Sequence, residues 1–116
     1  MQTDELFKAR VVAAILDAQP ERALKLLSEH FQVDEPVIRV GVVKGRSRGV
    51  RAVYSRRRKE ILAARREYLY DPFTVLHEFY HHLRYVGAEH RGTEKYAESF
   101  ARNFVESYIK VRNKKG

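Results

Sequence analysis

The sequence predicts a single α+β domain in which two helices precede a small sheet and two more helices follow it. Apolar residues recur at helical spacing towards both ends of the chain, whereas β-branched segments gather between residues 36 and 62. A chain of 116 residues is long enough to bury one modest core. No linker, internal repeat or low-complexity segment divides residues 1–116, so we expect one domain.

Two helices are expected at the start of the chain. Residues 3–18, TDELFKARVVAAILDA, place apolar side chains three and four apart after a capping Thr3 or Asp4. Pro20 interrupts this pattern, and residues 20–31, PERALKLLSEHF, resume it. Proline fits the first turn of a helix because the N–H that it lacks would have no partner there.

The middle of the chain predicts a three-stranded antiparallel sheet. Residues 36–43, PVIRVGVV, and residues 49–55, GVRAVYS, are rich in β-branched side chains. Between them lies KGRSRG, residues 44–49, a connection bracketed by glycine, so we expect the two segments to form a β-hairpin. Residues 59–65, KEILAAR, are expected to supply the third strand.

Two further helices are expected in the second half. Asp71 and Pro72 are typical of an N-cap and a first helical residue, and Gly87 is typical of the residue after a helix. Thr93 is the expected cap of a last helix over residues 94–112.

Basic residues concentrate in the middle of the chain and contribute most of the net charge of +8. Such a stretch either forms a solvated face or binds a polyanion. We favour the solvated face, because no aromatic stacking pattern or nucleic-acid-binding motif accompanies the charge. The residues concerned are Arg46, Arg48, Arg51, Arg56, Arg57, Arg58, Lys59, Arg65 and Arg66.

The composition also restricts the compartment and the chemistry. The chain has no cysteine, which excludes disulfides and thiolate metal sites and favours a cytoplasmic location. No window approaches the roughly 20 apolar residues that span a bilayer, and MQTDELFKAR does not resemble a signal peptide. We therefore expect no membrane partner, and the sequence leaves the oligomeric state open.

The segment HEFYH, residues 77–81, is the strongest candidate for a functional site. His77 and His81 lie one turn apart on the same helical face, so both imidazoles can reach one metal ion, and Glu78 can reach water on that ion. His82 lies about 140° away from His77 around the helix, so we expect it to have a structural or second-shell role.

A third ligand is needed, because a zinc ion held by protein takes at least three donors. Downstream candidates are Glu89, His90 and Glu94. Glu94 and Glu98 share the apolar stripe of the last helix, where carboxylates are unfavourable unless a metal ion and its histidines compensate them. We expect Glu94 to be the third ligand, as a buried acid, and Glu98 to accept a hydrogen bond from a ligand histidine. His90 remains an alternative ligand.

HEFYH followed by EKYAE, residues 94–98, resembles the gluzincin signature, H-E-x-x-H plus E-x-x-A-[DE] on a following helix. Gluzincins are zinc metallopeptidases, and the size and element order of this chain are similar to those of the minigluzincins. The resemblance implies one zinc ion held by His77, His81 and Glu94, with Glu78 as general base and Glu98 supporting a ligand. Aspartate is commoner in the family at the position of Glu98.

The same resemblance implies hydrolysis of peptide bonds in a peptide or protein substrate, through a zinc-bound water and a glutamate general base. A strand within residues 59–66 is the expected partner for a substrate strand. Candidates for stabilising the transition state are His90, Tyr85 and Arg84.

Minigluzincins are also described as latent, with a β-ribbon over the cleft. The resemblance therefore implies that the hairpin tip, with Lys44, Arg46 and Arg48, is a gate and that the chain is a zymogen. The alternative function is a basic nucleic-acid-binding or adaptor module whose zinc site is structural or vestigial.

Overall fold

The computed structural model of the chain describes residues 2–43, 50–87 and 94–115. Within these ranges it has an α+β fold with four α-helices, one short 3₁₀-helix and a three-stranded sheet, so the predicted fold class is confirmed. The elements in chain order are α1 Gln2–Leu16, α2 Pro20–Phe31, β1 Val37–Val40, β2 Ala52–Ser55, β3 Glu60–Ala63, the 3₁₀-helix Arg66–Tyr70, α3 Pro72–Gly87 and α4 Glu94–Lys115.

The sheet is mixed, so the predicted antiparallel arrangement is wrong. Its strand order is β1-β3-β2, with β1 parallel to β3 and β2 antiparallel to β3. The third strand takes the centre because it is the most buried, with both Ile61 and Ala63 inaccessible to solvent, whereas β1 is almost wholly exposed. The predicted hairpin between β1 and β2 is also wrong, since β3 lies between them.

The hairpin of this sheet instead joins β2 to β3. Residues 56–59 form its turn, and Lys59 adopts the left-handed conformation with a φ of 51°. The backbone N–H of Arg58 donates to the Ser55 hydroxyl at 3.3 Å. The predicted hairpin tip, residues 44–49, lies outside the described residues.

The start of α3 follows the local signals in the sequence. Asp71 caps this helix, because one carboxylate oxygen accepts the Phe73 N–H at 3.2 Å and the other accepts the Thr74 hydroxyl at 2.7 Å. Pro72 occupies the first helical position. These contacts fix where the helix begins.

Helix α3 lies between the sheet and α4, and α4 also packs along α1. No helix among the described residues is long and apolar enough to cross a membrane. The largest fully buried side chains are Val11, Val12, Ile15, Leu24, Leu27, Ile61, Leu69, Leu76, Phe79, His82, Leu83 and Phe104.

One polar side chain, His82, belongs to this core and connects three segments. Its Nε2 lies 2.7 Å from the Asp34 carbonyl, which can only accept, so Nε2 carries the proton. The Tyr54 hydroxyl then donates to Nδ1 at 2.6 Å. Burial lowers the pKa of His82 and raises that of Tyr54 to about 12, which keeps both groups neutral near pH 7. The predicted structural role of His82 agrees with these contacts.

Replacing His82 with phenylalanine is expected to lower the free energy of unfolding by about 2–4 kcal/mol. The change leaves the Asp34 carbonyl and the Tyr54 hydroxyl without their partner; both hydrogen bonds are part-buried, and the loss of such a partner costs about 1–3 kcal/mol each. Urea denaturation would measure the effect as a lower midpoint at an unchanged slope. His30→Phe is a matched control, because His30 is exposed and stacks on Phe7 as a phenyl ring also can. A midpoint for His82→Phe equal to that of this control would contradict the prediction.

Candidate metal centre

Three potential ligands from two helices converge at one point. His77 and His81 lie on neighbouring turns of α3, with ring centroids 5.0 Å apart. Glu94 is the first residue of α4, and its two carboxylate oxygens lie 2.7 Å from Nε2 of His77 and 2.9 Å from Nε2 of His81. One ligand atom from each of the three residues lies within 4.8 Å of the others. The three residues form a group that could hold a metal ion.

The spacing of these atoms fits a small tetrahedral ion. Ligand distances of about 2.0–2.2 Å set neighbouring ligand atoms roughly 3.4 Å apart. The distances from Glu94 to the two rings, 2.7 and 2.9 Å, are shorter than this by about 0.5–0.7 Å, so its carboxylate would have to move away from the rings by that amount to admit an ion. The Glu94 side chain is 72% exposed, so this adjustment disturbs no packing.

The local environment keeps a lone pair available on His81. Partial burial lowers the pKa of its imidazole below 6.5; Glu94 opposes this shift, whereas the charges of His77 and Arg84 reinforce it. A neutral imidazole is the form that binds a metal ion. His81 is therefore ready to act as a ligand near neutral pH.

The expectation for Glu94 is met in position but not in burial. Its carboxylate contacts both rings, as a third ligand must, yet it is exposed rather than the buried acid that the sequence indicated. The reason is that Glu94 lies at the very start of α4, where the apolar stripe begins, and Ala97 is the first buried residue of that stripe. The alternative ligands Glu89 and His90 lie outside the described residues.

Glu78 lies in the wall of two cavities beside this group. The larger cavity, about 630 Å³, also includes His77 and Glu98, and the smaller, about 420 Å³, includes His77, His81 and Glu94. Ala52 of β2 also contributes to both. The two cavities thus form a cleft between β2 and the two helices, with the candidate ligands and Glu78 in it.

The other predicted site residues are distributed unevenly. Glu98 is exposed in the larger cavity and makes no hydrogen bond to either ring in the described part of the chain, so its second-shell role stays a prediction. Arg84 lines the smaller cavity with His81. Tyr85 lines a different cavity beside Lys59, which does not include the candidate ligands.

No protein-family model, curated protein or solved structure matches this chain. The interpretation of the cleft therefore rests on its own residues.

Several residues of the cleft are absent from the sequence-based prediction of the site, among them Phe73, Tyr54 and Arg56. Phe73 is 48% exposed and lines the larger cavity. Tyr54 and Arg56 line the smaller one. A sequence signal existed for Tyr54, since it lies two residues after Ala52 and alternate residues of a strand share a face. No signal indicated which strand of the sheet would border the cleft.

Proposed function

We propose that this chain is a zinc metalloendopeptidase of the gluzincin type, acting on peptide or protein substrates. The observation that carries the proposal is the convergence of His77, His81 and Glu94 beside Glu78 in one open cleft. A metal site with only a structural role would not need a further carboxylate, such as that of Glu78, in the cleft next to its ligands.

The donor set supports zinc as the single ion. Two imidazoles and one carboxylate form a His₂Glu set, which is typical of catalytic zinc sites and leaves one position for water or substrate. Calcium and magnesium prefer oxygen-only surroundings, and a chain without cysteine offers no thiolate to softer metals.

The chemistry divides between the ion and the residues around it. Zinc, when bound, supplies a Lewis acid that polarises a carbonyl group and acidifies water. The Glu78 carboxylate lies in the cleft wall beside His77, where it can take a proton from the attacking water and return it to the departing amine. His77, His81 and Glu94 then serve only to hold and orient the ion.

The edge strand β2 is the better candidate for holding an extended substrate. The expectation that residues 59–66 would do so is wrong for β3, because that strand is paired on both sides. Strand β2 pairs only with β3 among the described strands, and its residues Ala52 to Tyr54 line the cleft. A substrate strand can therefore add to β2 through backbone hydrogen bonds.

Latency remains part of the proposal as a prediction. Lys44, Arg46 and Arg48 lie outside the described residues, but the segment they belong to leads into Val50 and Arg51, which line the larger cavity. The cytoplasmic location likewise stays a prediction.

Removing the metal is expected to abolish hydrolysis of casein, and adding zinc back should restore it. Elemental analysis of the purified chain should give one zinc per molecule before chelation and none after it. Magnesium is the control addition and should not restore activity, because it binds imidazole poorly. Casein hydrolysis that continues at full rate in the metal-free chain would contradict the proposal.

A further inference from the structure

The turn between β2 and β3 carries four consecutive cations, Arg56 to Lys59, all of them exposed. They make no ion pair within the described residues. By contrast, Arg39 pairs with Glu60 at 3.0 Å and Arg66 with Glu21 at 2.7 Å. Within the described ranges, the turn therefore presents positive charge that no carboxylate compensates.

One cation of this turn belongs to the cleft. Arg56 lines the 420 Å³ cavity, and Arg84 of α3 lines the same cavity next to His81. Arg84 is exposed and has no carboxylate partner in the described ranges. Two guanidinium groups without a carboxylate partner among the described residues thus share the cavity with the candidate metal ligands.

Guanidinium groups in such a place recognise carboxylates well, because their planar fork matches a carboxylate with two parallel hydrogen bonds. A nucleic acid fits the cleft less well. Its continuous line of phosphates would pass Glu78, Glu94 and Glu98, whereas a peptide carries charge only at chosen side chains.

We propose that Arg56 and Arg84 form a subsite for acidic side chains, so that the cleft selects peptide segments rich in aspartate and glutamate. The proposal rests on the proposed function in that it takes the cleft as a substrate site. It assigns a role to the basic turn, which the metal centre does not use.

Peptide binding measured by fluorescence anisotropy tests this inference without requiring catalysis. The zinc-loaded Glu78→Gln chain is titrated into a labelled 12-residue peptide with glutamate at every third position, and into the same peptide with glutamine there. We expect the acidic peptide to bind about tenfold more tightly, the gain typical of a charge-assisted contact. The double variant that carries Arg56→Gln and Arg84→Gln should bind the acidic peptide and the glutamine peptide equally tightly.

A matched double variant separates the subsite from general charge attraction. Arg22→Gln with Lys25→Gln removes the same two formal charges from exposed positions of α2, where Arg22 lines a separate cavity. This variant should keep the preference within about twofold. An equal loss in both double variants would overturn the proposal, and so would equal binding of the two peptides by the parent chain.

Three further outcomes are decisive. Tighter binding of a 12-nucleotide single strand than of the acidic peptide, unchanged by the Arg56 and Arg84 substitutions, would overturn the subsite. A preference for the acidic peptide in a chain that never cleaves casein, even after deletion of the predicted gate at residues 44–49, would support the subsite and contradict only the peptidase function. Casein cleavage without any preference for the acidic peptide would support the peptidase function and contradict the subsite.

Discussion

The Glu78→Gln chain is expected to hydrolyse casein about 10²–10⁴-fold more slowly than wild type while keeping one zinc per molecule. An amide of the same shape cannot accept a proton from water, so the general base is lost. The ligand group of His77, His81 and Glu94 does not include Glu78, so metal binding should persist. The loss should appear in kcat with little change in KM, because a general base acts in the transition state.

This prediction is tested by making both measurements on the same preparation of each chain. Zinc content from elemental analysis and the casein rate are compared for wild type, Glu78→Gln and Glu106→Gln. Glu106 is an exposed carboxylate of α4 that lines neither cavity of the cleft, and its amide should match wild type in both measurements. Retained hydrolysis in Glu78→Gln would exclude Glu78 as the base, and loss of zinc would instead make it a ligand.

The α3 half of the site could be predicted because its geometry is local. The helical period fixes the distance between His77 and His81 once the segment is helical. Asp71 and Pro72 define the start of that helix through contacts within four residues of the chain. A sequence contains all the information that such features need.

The buried face of α3 is harder to predict, because it depends on what surrounds the helix. Taking His77 as the origin, Phe73 lies about 320° and His82 about 140° around the helix, at the two borders of the arc of apolar residues that includes Leu76 and Leu83. The structure buries His82 fully and leaves Phe73 half exposed. The imidazole of His82 can be buried because it makes two hydrogen bonds to distant segments of the chain: it donates to the Asp34 carbonyl and accepts from the Tyr54 hydroxyl. Neither contact can be read from α3 alone.

The sheet topology was beyond local signals for the same reason. The segment KGRSRG, which is bracketed by glycine, indicated a hairpin between the strands on either side of it. The central position of the sheet instead goes to the strand whose side chains are most buried, and that strand is β3. The placement of β2 at the cleft follows from this non-local choice. The basic turn beside the cleft was therefore predicted only as a solvated face.

Glu94→Ala is expected to lower the affinity for zinc by more than about 100-fold. Loss of a group that merely supports a ligand already costs about 10–100-fold, and Glu94 contacts both imidazoles directly. Competition with a chromogenic zinc chelator measures the change. Glu98→Ala, one turn further along α4 in the same cleft, is the matched comparison and should lose less affinity.

Thermal unfolding separates loss of a ligand from loss of the fold. Without zinc, the free energies of unfolding of Glu94→Ala and wild type should agree within about 0.5 kcal/mol, because the Glu94 side chain is 72% exposed. With zinc in excess, only wild type and Glu98→Ala should show a clear rise in Tm, since an ion stabilises the fold in proportion to its affinity for the native state. If Glu94→Ala gained the same rise, the third ligand would lie elsewhere. The two helices would then not be joined by a metal ion, and the cleft would lose the feature on which its proposed chemistry depends.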